Sequence, residues 1–147
     1  MILPQSLRVL VVDDNAYARA LADLVLRQIG VGTVADAATG VEAVSQLLTT
    51  PFDVMLLDWY MPEMNGAALL QIIRAPSFGP NGRLPVIVAT AYPNSETIAR
   101  ARELGADEVL SKPFAAMQLA GVIARLLPDE WQDLLGHEVR EKRRVLL

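Results

Sequence analysis

Three carboxylates and one lysine, each directly after a short apolar run, are the residues best suited to chemistry. They are Asp13 and Asp14 after VLVV, Asp58 after VMLL, and Lys112 two residues beyond VL. Runs this short and rich in branched aliphatic side chains are typical of strands buried on both faces of a parallel sheet. Ligands of such sheets bind beyond the carboxyl ends of the strands. We therefore expect these four side chains to meet at one edge of a sheet.

The chemistry of that set is phosphoryl transfer supported by a hard cation. Carboxylates, water and phosphate oxygens are the usual ligands of Mg²⁺, and a cation relieves the repulsion among Asp13, Asp14 and Asp58. A carboxylate can also act as the nucleophile that forms an aspartyl-phosphate. Lys112 and the hydroxyl of Thr90, at the end of a fourth apolar run, could hold phosphoryl oxygens.

Strand-like and helix-like segments alternate five times along the chain, which predicts a parallel sheet with helices on both faces. In helix 1 we expect Asn15 as N-cap, Gly30 as C-cap, and an apolar face that includes Leu21 and Leu24. We expect Val25 and Ile29 on the same apolar face. The predicted strands are 8–12, 33–35, 53–57, 86–89 and 108–110, and the predicted helices are 16–29, 40–48, 66–74, 95–104 and 115–127.

Composition limits the class of protein. The chain has 147 residues, of which 52% are hydrophobic, enough for one domain with a single aliphatic core. A net charge of -4 argues against a broad nucleic-acid surface. There is no cysteine, which excludes disulfides and thiol catalysis. We see no signal peptide and no membrane-spanning run, so we expect a cytoplasmic location and no membrane insertion.

The last twenty residues differ in character from the rest. Trp131, Leu135 and Val139 recur near helical spacing with charges between them, and the final eight residues carry a net charge of +3. We therefore divide the chain into a domain over 1–127 and an amphipathic helical extension over 128–147. The extension either docks on a partner or a second copy, or packs back on its own domain.

The chain resembles the receiver domain of two-component response regulators, of the chemotaxis-regulator type, over roughly Leu7 to Leu127. The motifs that carry the resemblance are Asp13-Asp14, Asp58, Met61-Pro62, Asn65-Gly66, Thr90-Ala91, Gly105-Ala106-Asp107 and Lys112-Pro113-Phe114. Each motif is weak alone, and their order and spacing together are specific. The resemblance implies an α/β fold with a doubly wound, five-stranded parallel sheet, the (βα)5 flavodoxin-like receiver fold, here with an extra C-terminal helix.

The resemblance also assigns the acidic residues. It implies that Asp58 is the phosphoacceptor, taking a phosphoryl group from a sensor histidine kinase or a histidine phosphotransfer protein. Asp13 and Asp14 would hold Mg²⁺ together with Asp58 and the backbone carbonyl of Tyr60. Tyr60, two residues after Asp58, would place a bulky side chain beside the phosphoryl group. We interpret it as a barrier to water that lengthens the phosphorylated lifetime.

The switch residues are assigned with one departure from the family pattern. Lys112, whose peptide bond to Pro113 is expected to be cis, would contact the phosphoryl group, and Thr90 would move toward it. The family's switch aromatic lies three residues before the lysine, where this chain has Val109. Tyr92, two residues after Thr90, is our candidate to replace it.

The function these assignments imply is a phosphorylation-controlled binding module, either a stand-alone receiver or part of a longer regulator. It would switch association with a downstream protein partner or a second copy, without direct DNA binding by these residues. A constitutive, unphosphorylated binding module stays open because of Val109. We expect no enzyme activity beyond slow Mg²⁺-dependent self-phosphorylation and autodephosphorylation.

Two other readings of the acidic motifs fit less well. Phosphatases of the haloacid dehalogenase type need a second aspartate two residues after the nucleophile, where this chain has Tyr60 or Asn15. A flavodoxin-like nucleotide binder needs a glycine-rich phosphate loop after strand 1, and Asp13 and Asp14 would repel phosphate there.

Overall fold

The computed structural model describes residues 3–128, which form a five-stranded sheet with helices on both faces. Every strand and helix predicted within these residues is present, and the extension predicted over 128–147 lies outside them apart from Pro128. The strands are β1 (Arg8–Val12), β2 (Thr33–Ala37), β3 (Val54–Asp58), β4 (Val86–Thr90) and β5 (Glu108–Ser111). The helices are α1 (Ala16–Gln28), α2 (Gly40–Thr49), α3 (Gly66–Ile73), α4 (Ser95–Glu103) and α5 (Ala116–Leu126), with a 3-10 turn over Pro80–Arg83.

The sheet is parallel throughout and has the strand order β2-β1-β3-β4-β5. The chain leaves β1 toward β2 on one side and returns to β3 on the other, so the winding direction reverses between β1 and β3. Val12 pairs with Leu57 across that boundary, which brings the ends of both strands together. A reversal of this kind is where open α/β sheets bind ligands. The predicted doubly wound fold is therefore confirmed.

Two buried clusters fill the two faces of the sheet. One packs α1 and α5 against the sheet and includes Leu26 and Leu119, and the other packs α2, α3 and α4 and includes Leu47 and Leu70. The side chains of β1 alternate between the two clusters, because successive residues of a strand point to opposite faces. The aliphatic core predicted from composition thus separates into two layers.

The predicted apolar face of α1 is partly wrong. The helix buries Ala22, Leu26 and Ile29, whereas Leu21 is 46% exposed and Leu24 is 56% exposed. The helix carries two apolar stripes, and the sequence pattern alone did not separate the one that faces the sheet. The outer stripe consists of Tyr17, Leu21 and Leu24 at i, i+4 and i+7, and we call it the α1 stripe.

Asparagine caps start three of the helices at the edge of the sheet where the strands end. The side chains of Asn15, Asn65 and Asn94 each accept a hydrogen bond from a backbone N–H three residues later. These bonds satisfy donors that a helix N-terminus leaves open and fix where each loop stops. None of the described helices has the length and apolar character needed to cross a membrane.

Candidate functional site

Three carboxylates converge where β1 and β3 end. One oxygen from each of Asp13, Asp14 and Asp58 lies within 4.8 Å of the others. Asp58 is the last residue of β3, and Asp13 directly follows β1, where its backbone N–H donates to the carbonyl of Ala37 on β2. A side-chain oxygen of Asp13 also accepts from the backbone N–H of Asn15 at 2.9 Å. The ladder of the sheet therefore fixes the backbone of this carboxylate cluster.

Lys112 supplies the positive charge. Its Nζ lies 2.7 Å from Oδ2 of Asp13 and 3.3 Å from Oδ1 of Asp58. The backbone N–H of Lys112 donates to the carbonyl of Thr90, which ties the loop after β5 to the end of β4. Its peptide bond to Pro113 is cis. Burial works against the charged ammonium, yet the bonds and charges of the two aspartates outweigh it and raise the pKa of Lys112.

The charges in the cluster do not balance. Asp13 is buried, Asp58 is largely buried and Asp14 is exposed, and the ammonium of Lys112 pairs with Asp13 and Asp58. Burial, together with the charges of Asp13 and Asp14, raises the pKa of Asp58 to about 6 against the opposing effect of Lys112. Three carboxylates held by one ammonium leave excess negative charge, so the cluster favours a cation.

Thr90 ends β4 at the same edge of the sheet and is fully buried. Its Oγ1 accepts a hydrogen bond from the backbone N–H of Tyr92 at 3.0 Å. The ring of Tyr92 meets the ring of Tyr60 edge to face, with centroids 5.9 Å apart. The Tyr60 hydroxyl shares a 3.1 Å hydrogen bond with Oγ1 of Thr97 on α4. A chain of contacts thus runs from the loop after Asp58 to α4.

Thr97 was not among the residues predicted from the sequence. It is buried on α4, and its backbone N–H also donates to the Asn94 cap. The Asn94 cap can be recognised from the sequence. No local sequence pattern marks the bond between Thr97 and Tyr60, because these residues are 37 positions apart. Val109 lies in β5 opposite Val88 and is half-buried, so the position of the family's switch aromatic holds a small aliphatic side chain.

An apolar cavity of about 510 Å³, which was not predicted from the sequence, opens beside the carboxylates. It lies between α1 and the loop after β5, and Asp13, Asp58 and Lys112 form its polar end. Leu21 of the α1 stripe and Phe114 contribute to its apolar walls. The spacing of the α1 stripe was the available signal, and it was assigned to the core instead.

Comparisons with known proteins agree with this geometry. A family model described as the response regulator receiver domain matches residues 9–124. The chain is 35% identical over 118 residues to chemotaxis protein CheY-3 of Vibrio cholerae serotype O1, covering 80% of this chain and 89% of that one.

Solved structures show the same likeness. Chemotaxis protein CheY4 of Vibrio cholerae superposes with a TM-score of 0.74 at 28% identity, covering 86% of this chain and 100% of that one. The receiver domain of the histidine kinase CKI1 from Arabidopsis thaliana, complexed with Mg²⁺ and BeF3⁻, superposes with a TM-score of 0.73 at 33% identity. That match covers 83% of this chain and 90% of the other.

Proposed function

Because the chain belongs to the response regulator receiver domain family, we propose that it accepts a phosphoryl group on Asp58 and thereby switches its associations. The donor is a sensor histidine kinase or a histidine phosphotransfer protein, and the setting is the cytoplasm. The observation that carries the proposal is the position of Asp58, at the end of β3, 3.3 Å from Lys112 and beside Asp13 and Asp14.

The carboxylate cluster fits Mg²⁺. Its ligands would be Asp13, Asp14 and Asp58, with the backbone carbonyl of Tyr60 as a fourth oxygen. The set contains hard oxygen donors only, and it carries more negative charge than Lys112 neutralises, as a site for a hard divalent cation requires. When bound, the ion would neutralise charge on the phosphoryl oxygens during transfer.

The side chains have distinct tasks in the transfer. An oxygen of Asp58 attacks phosphorus, an O–P bond forms, and the N–P bond of the donor phosphohistidine breaks, after which the released imidazole takes up a proton. The raised pKa of Asp58, about 6, leaves the carboxylate ionised and nucleophilic at neutral pH. Lys112, now paired with Asp13 and Asp58, would turn to the phosphoryl oxygens as a point charge.

The switch would begin at Thr90. Its Oγ1 now accepts from the backbone N–H of Tyr92, and donating to a phosphoryl oxygen would turn the hydroxyl away from that contact. Tyr92 touches Tyr60, whose hydroxyl is bonded to Thr97 of α4. Movement at Thr90 would therefore reach α4 through two rings, without a swinging aromatic at Val109. The readout is association with a downstream protein or a second copy.

The α1 stripe supports a protein donor. Tyr17, Leu21 and Leu24 expose apolar surface on the helix that begins beside Asp13 and Asp14. Exposed apolar side chains in a continuous row, next to a charged site, are typical of protein docking surfaces. A donor that covers this row would bring its histidine toward the carboxylate cluster.

The test is mass spectrometry of the full chain incubated with a small-molecule phosphodonor and Mg²⁺. We expect a single phosphoryl addition that is lost in Asp58→Asn and in magnesium-free buffer. Asp23→Asn, which neutralises a half-buried aspartate of α1 paired with Arg27, is the matched control and retains the addition. No addition under any condition, with the fold intact by circular dichroism, would contradict the proposal and favour the constitutive binding module.

A further inference from the structure

Arg19 of α1 reaches the carboxylate cluster through the backbone of Asp13. Its Nη1 donates a hydrogen bond of 2.7 Å to the Asp13 carbonyl, and the residue is half-buried. The backbone N–H of Arg19 donates to the carbonyl of Asn15, so Arg19 lies one turn into the helix and its side chain turns back toward the helix start. Arg19 was not among the site residues predicted from the sequence, and the transfer steps proposed for Asp58 do not involve it.

A guanidinium near the start of a helix requires a local partner. The N-terminus of a helix carries partial positive charge, which disfavours a cation there. Arg27, the other arginine of α1, lies in the last turn, where the helix dipole favours it, and it pairs with Asp23 at 2.8 Å. Arg19 has the unfavourable position of the two. The Asp13 carbonyl and the excess negative charge of the carboxylate cluster offset that cost.

Each polar atom of Asp13 is hydrogen-bonded, and Arg19 binds the one that also affects Asp14. The backbone N–H and the two carboxylate oxygens of Asp13 are bonded to Ala37, Asn15 and Lys112. The carbonyl that Arg19 binds belongs to the peptide group that continues into Asp14, and a peptide group is planar. The bond from Arg19 therefore fixes the plane between two neighbouring carboxylates.

Asp14 depends on this peptide group more than Asp13 does. The side chain of Asp14 is exposed, and within residues 3–128 it makes no hydrogen bond and no ion pair. One of its oxygens nevertheless lies within 4.8 Å of oxygens from Asp13 and Asp58, against the repulsion of their charges. The backbone that carries the Asp14 carboxylate is therefore what directs it, and Arg19 holds that backbone.

The guanidinium of Arg19 lies where the Asp13 carbonyl holds it. Burial and the charge of Asp23 raise the pKa of Asp36 on β2, and the charges of Arg19 and Arg27 oppose that rise. Arg19 forms no ion pair with Asp36 or with any other carboxylate in the described part of the chain. The directed contact of Arg19 is thus with a neutral carbonyl, which points to a role in position rather than in charge.

We infer that Arg19 is a positioning residue for the Mg²⁺ site: by holding the peptide group between Asp13 and Asp14, it directs both carboxylates before the cation binds. This role rests on the proposed binding of Mg²⁺ by the carboxylate cluster. The charge and the position of Arg19 have opposite consequences. Positive charge near the site repels Mg²⁺, whereas a fixed peptide group favours binding because the ligands need no ordering.

The test is calorimetric titration of Mg²⁺ into the full chain and into its Arg19→Gln variant. Groups that orient metal ligands change metal affinity by about 10- to 100-fold, so Arg19→Gln should weaken Mg²⁺ binding at least about tenfold. Arg19→Met, which keeps an unbranched stem and removes every donor, should give the same shift. Arg27→Gln is the matched control, since it removes the same charge from the far end of the same helix and should leave the affinity unchanged.

The direction of the change decides between position and charge. Unchanged Mg²⁺ affinity in a folded Arg19→Gln variant would overturn the inference, and tighter binding would assign Arg19 an effect of charge alone. The absence of Mg²⁺ binding by the wild-type chain would overturn it as well.

Phosphoryl addition from a small-molecule phosphodonor gives a second readout. The Mg²⁺ concentration that gives half the maximal rate should rise about tenfold in Arg19→Gln, with the rate at saturating Mg²⁺ unchanged. An unchanged half-maximal concentration would contradict the positioning role. Mg²⁺ binding that weakens in Arg19→Gln, in a chain that takes up no phosphoryl group, would support the role of Arg19 and contradict only the phosphorylation of Asp58.

Discussion

The two edges of the sheet both hold buried polar groups, but they balance them differently. At the edge where strands begin, Arg74 donates to the carbonyls of Gly82, Leu84 and Gly105, at 2.8 to 3.2 Å. At the edge where strands end, Asp13, Asp14 and Asp58 face Lys112. At the strand-start edge a positive charge donates to neutral carbonyl groups. At the strand-end edge three negative charges lie close together.

At the strand-start edge, the side chain of Asn81 is a second polar group whose donors and acceptor are hydrogen-bonded. Its buried side chain donates to the carbonyls of Leu47 and Thr50, at 2.7 and 2.6 Å, and accepts from the backbone N–H of Phe52 at 3.2 Å. It joins the 3-10 turn before β4 to the end of α2 and the start of β3. Removing a polar group should therefore destabilise this edge, whereas neutralising a charge should stabilise the other.

The largest expected effect is that of Asn81→Ala. The substitution leaves two carbonyls and one N–H without their partner in a buried site, so the free energy of unfolding should fall by about 2 to 4 kcal/mol. Urea denaturation followed by circular dichroism measures it. Gln118→Ala on the exposed side of α5 is the control and should change stability by less than about 0.5 kcal/mol. Equal effects of the two substitutions would remove the contrast between the edges.

The opposite sign is expected for Asp58→Asn. Burial and two neighbouring carboxylates oppose ionisation of Asp58, so neutralising it should raise the free energy of unfolding by roughly 1 to 3 kcal/mol at pH 7.5 without Mg²⁺. Added Mg²⁺ should stabilise the wild-type protein and reduce the difference.

The same substitution at the other edge gives the control. Asp107 accepts from the backbone N–H of Val86 at 2.8 Å and lies 3.4 Å from Arg74, so Asp107→Asn should destabilise the fold. Thermal unfolding of both variants in magnesium-free buffer measures these two changes in stability. A loss of stability in Asp58→Asn would show that the carboxylate cluster is not strained by its charge.

The pH dependence sharpens the comparison at Asp58. Its pKa is raised from 3.8 to about 6 in the folded protein, so between those values the folded state holds a proton that the unfolded state has released. The contribution of Asp58 to stability therefore falls as pH rises through this window and is constant above it. The advantage of Asp58→Asn should grow by about 1 to 2 kcal/mol from pH 4.5 to pH 7. An advantage independent of pH would contradict the raised pKa.

The strand-end edge was predictable because each of its residues lies at the end of a strand or within two residues after it. A run such as VMLL before Asp58 both forms β3 and specifies where the carboxylate lies, and the parallel order brings the ends together. The local sequence was therefore enough to predict where Asp13, Asp14, Asp58 and Lys112 lie. The roles of these residues in metal binding and phosphorylation stay predictions.

The strand-start edge was not predictable in the same way. Arg74 and Asn81 lie in or beside a segment read only as a loop, and their partners are up to 34 residues away. No local pattern marks a carbonyl as the acceptor of a distant guanidinium. The buried face of α1 was predicted wrongly for a related reason. The sequence shows two apolar stripes on α1, and only the packing of α5 against Ala22 and Leu26 selects the one that is buried.

The smallest effect is expected for Tyr60→Phe, which tests a neutral hydrogen bond beside the charged edge. Loss of the bond to the buried hydroxyl of Thr97 should lower the free energy of unfolding by about 0.5 to 1 kcal/mol, the same sign as that expected for Asn81→Ala. Tyr17→Phe, on the exposed face of α1, is the control and should be neutral.

The same variant separates the ring of Tyr60 from its hydroxyl. If the ring shields the phosphoryl group from water, the half-life of phosphorylated Asp58 should be unchanged in Tyr60→Phe and shortened in Tyr60→Ala, as followed by loss of the phosphoryl mass. A half-life shortened equally in both would assign the effect to the bond with Thr97, and hence to the position of α4. A half-life unchanged in both would leave Tyr60 as a contact of Tyr92 and Thr97 alone, without influence on water at Asp58.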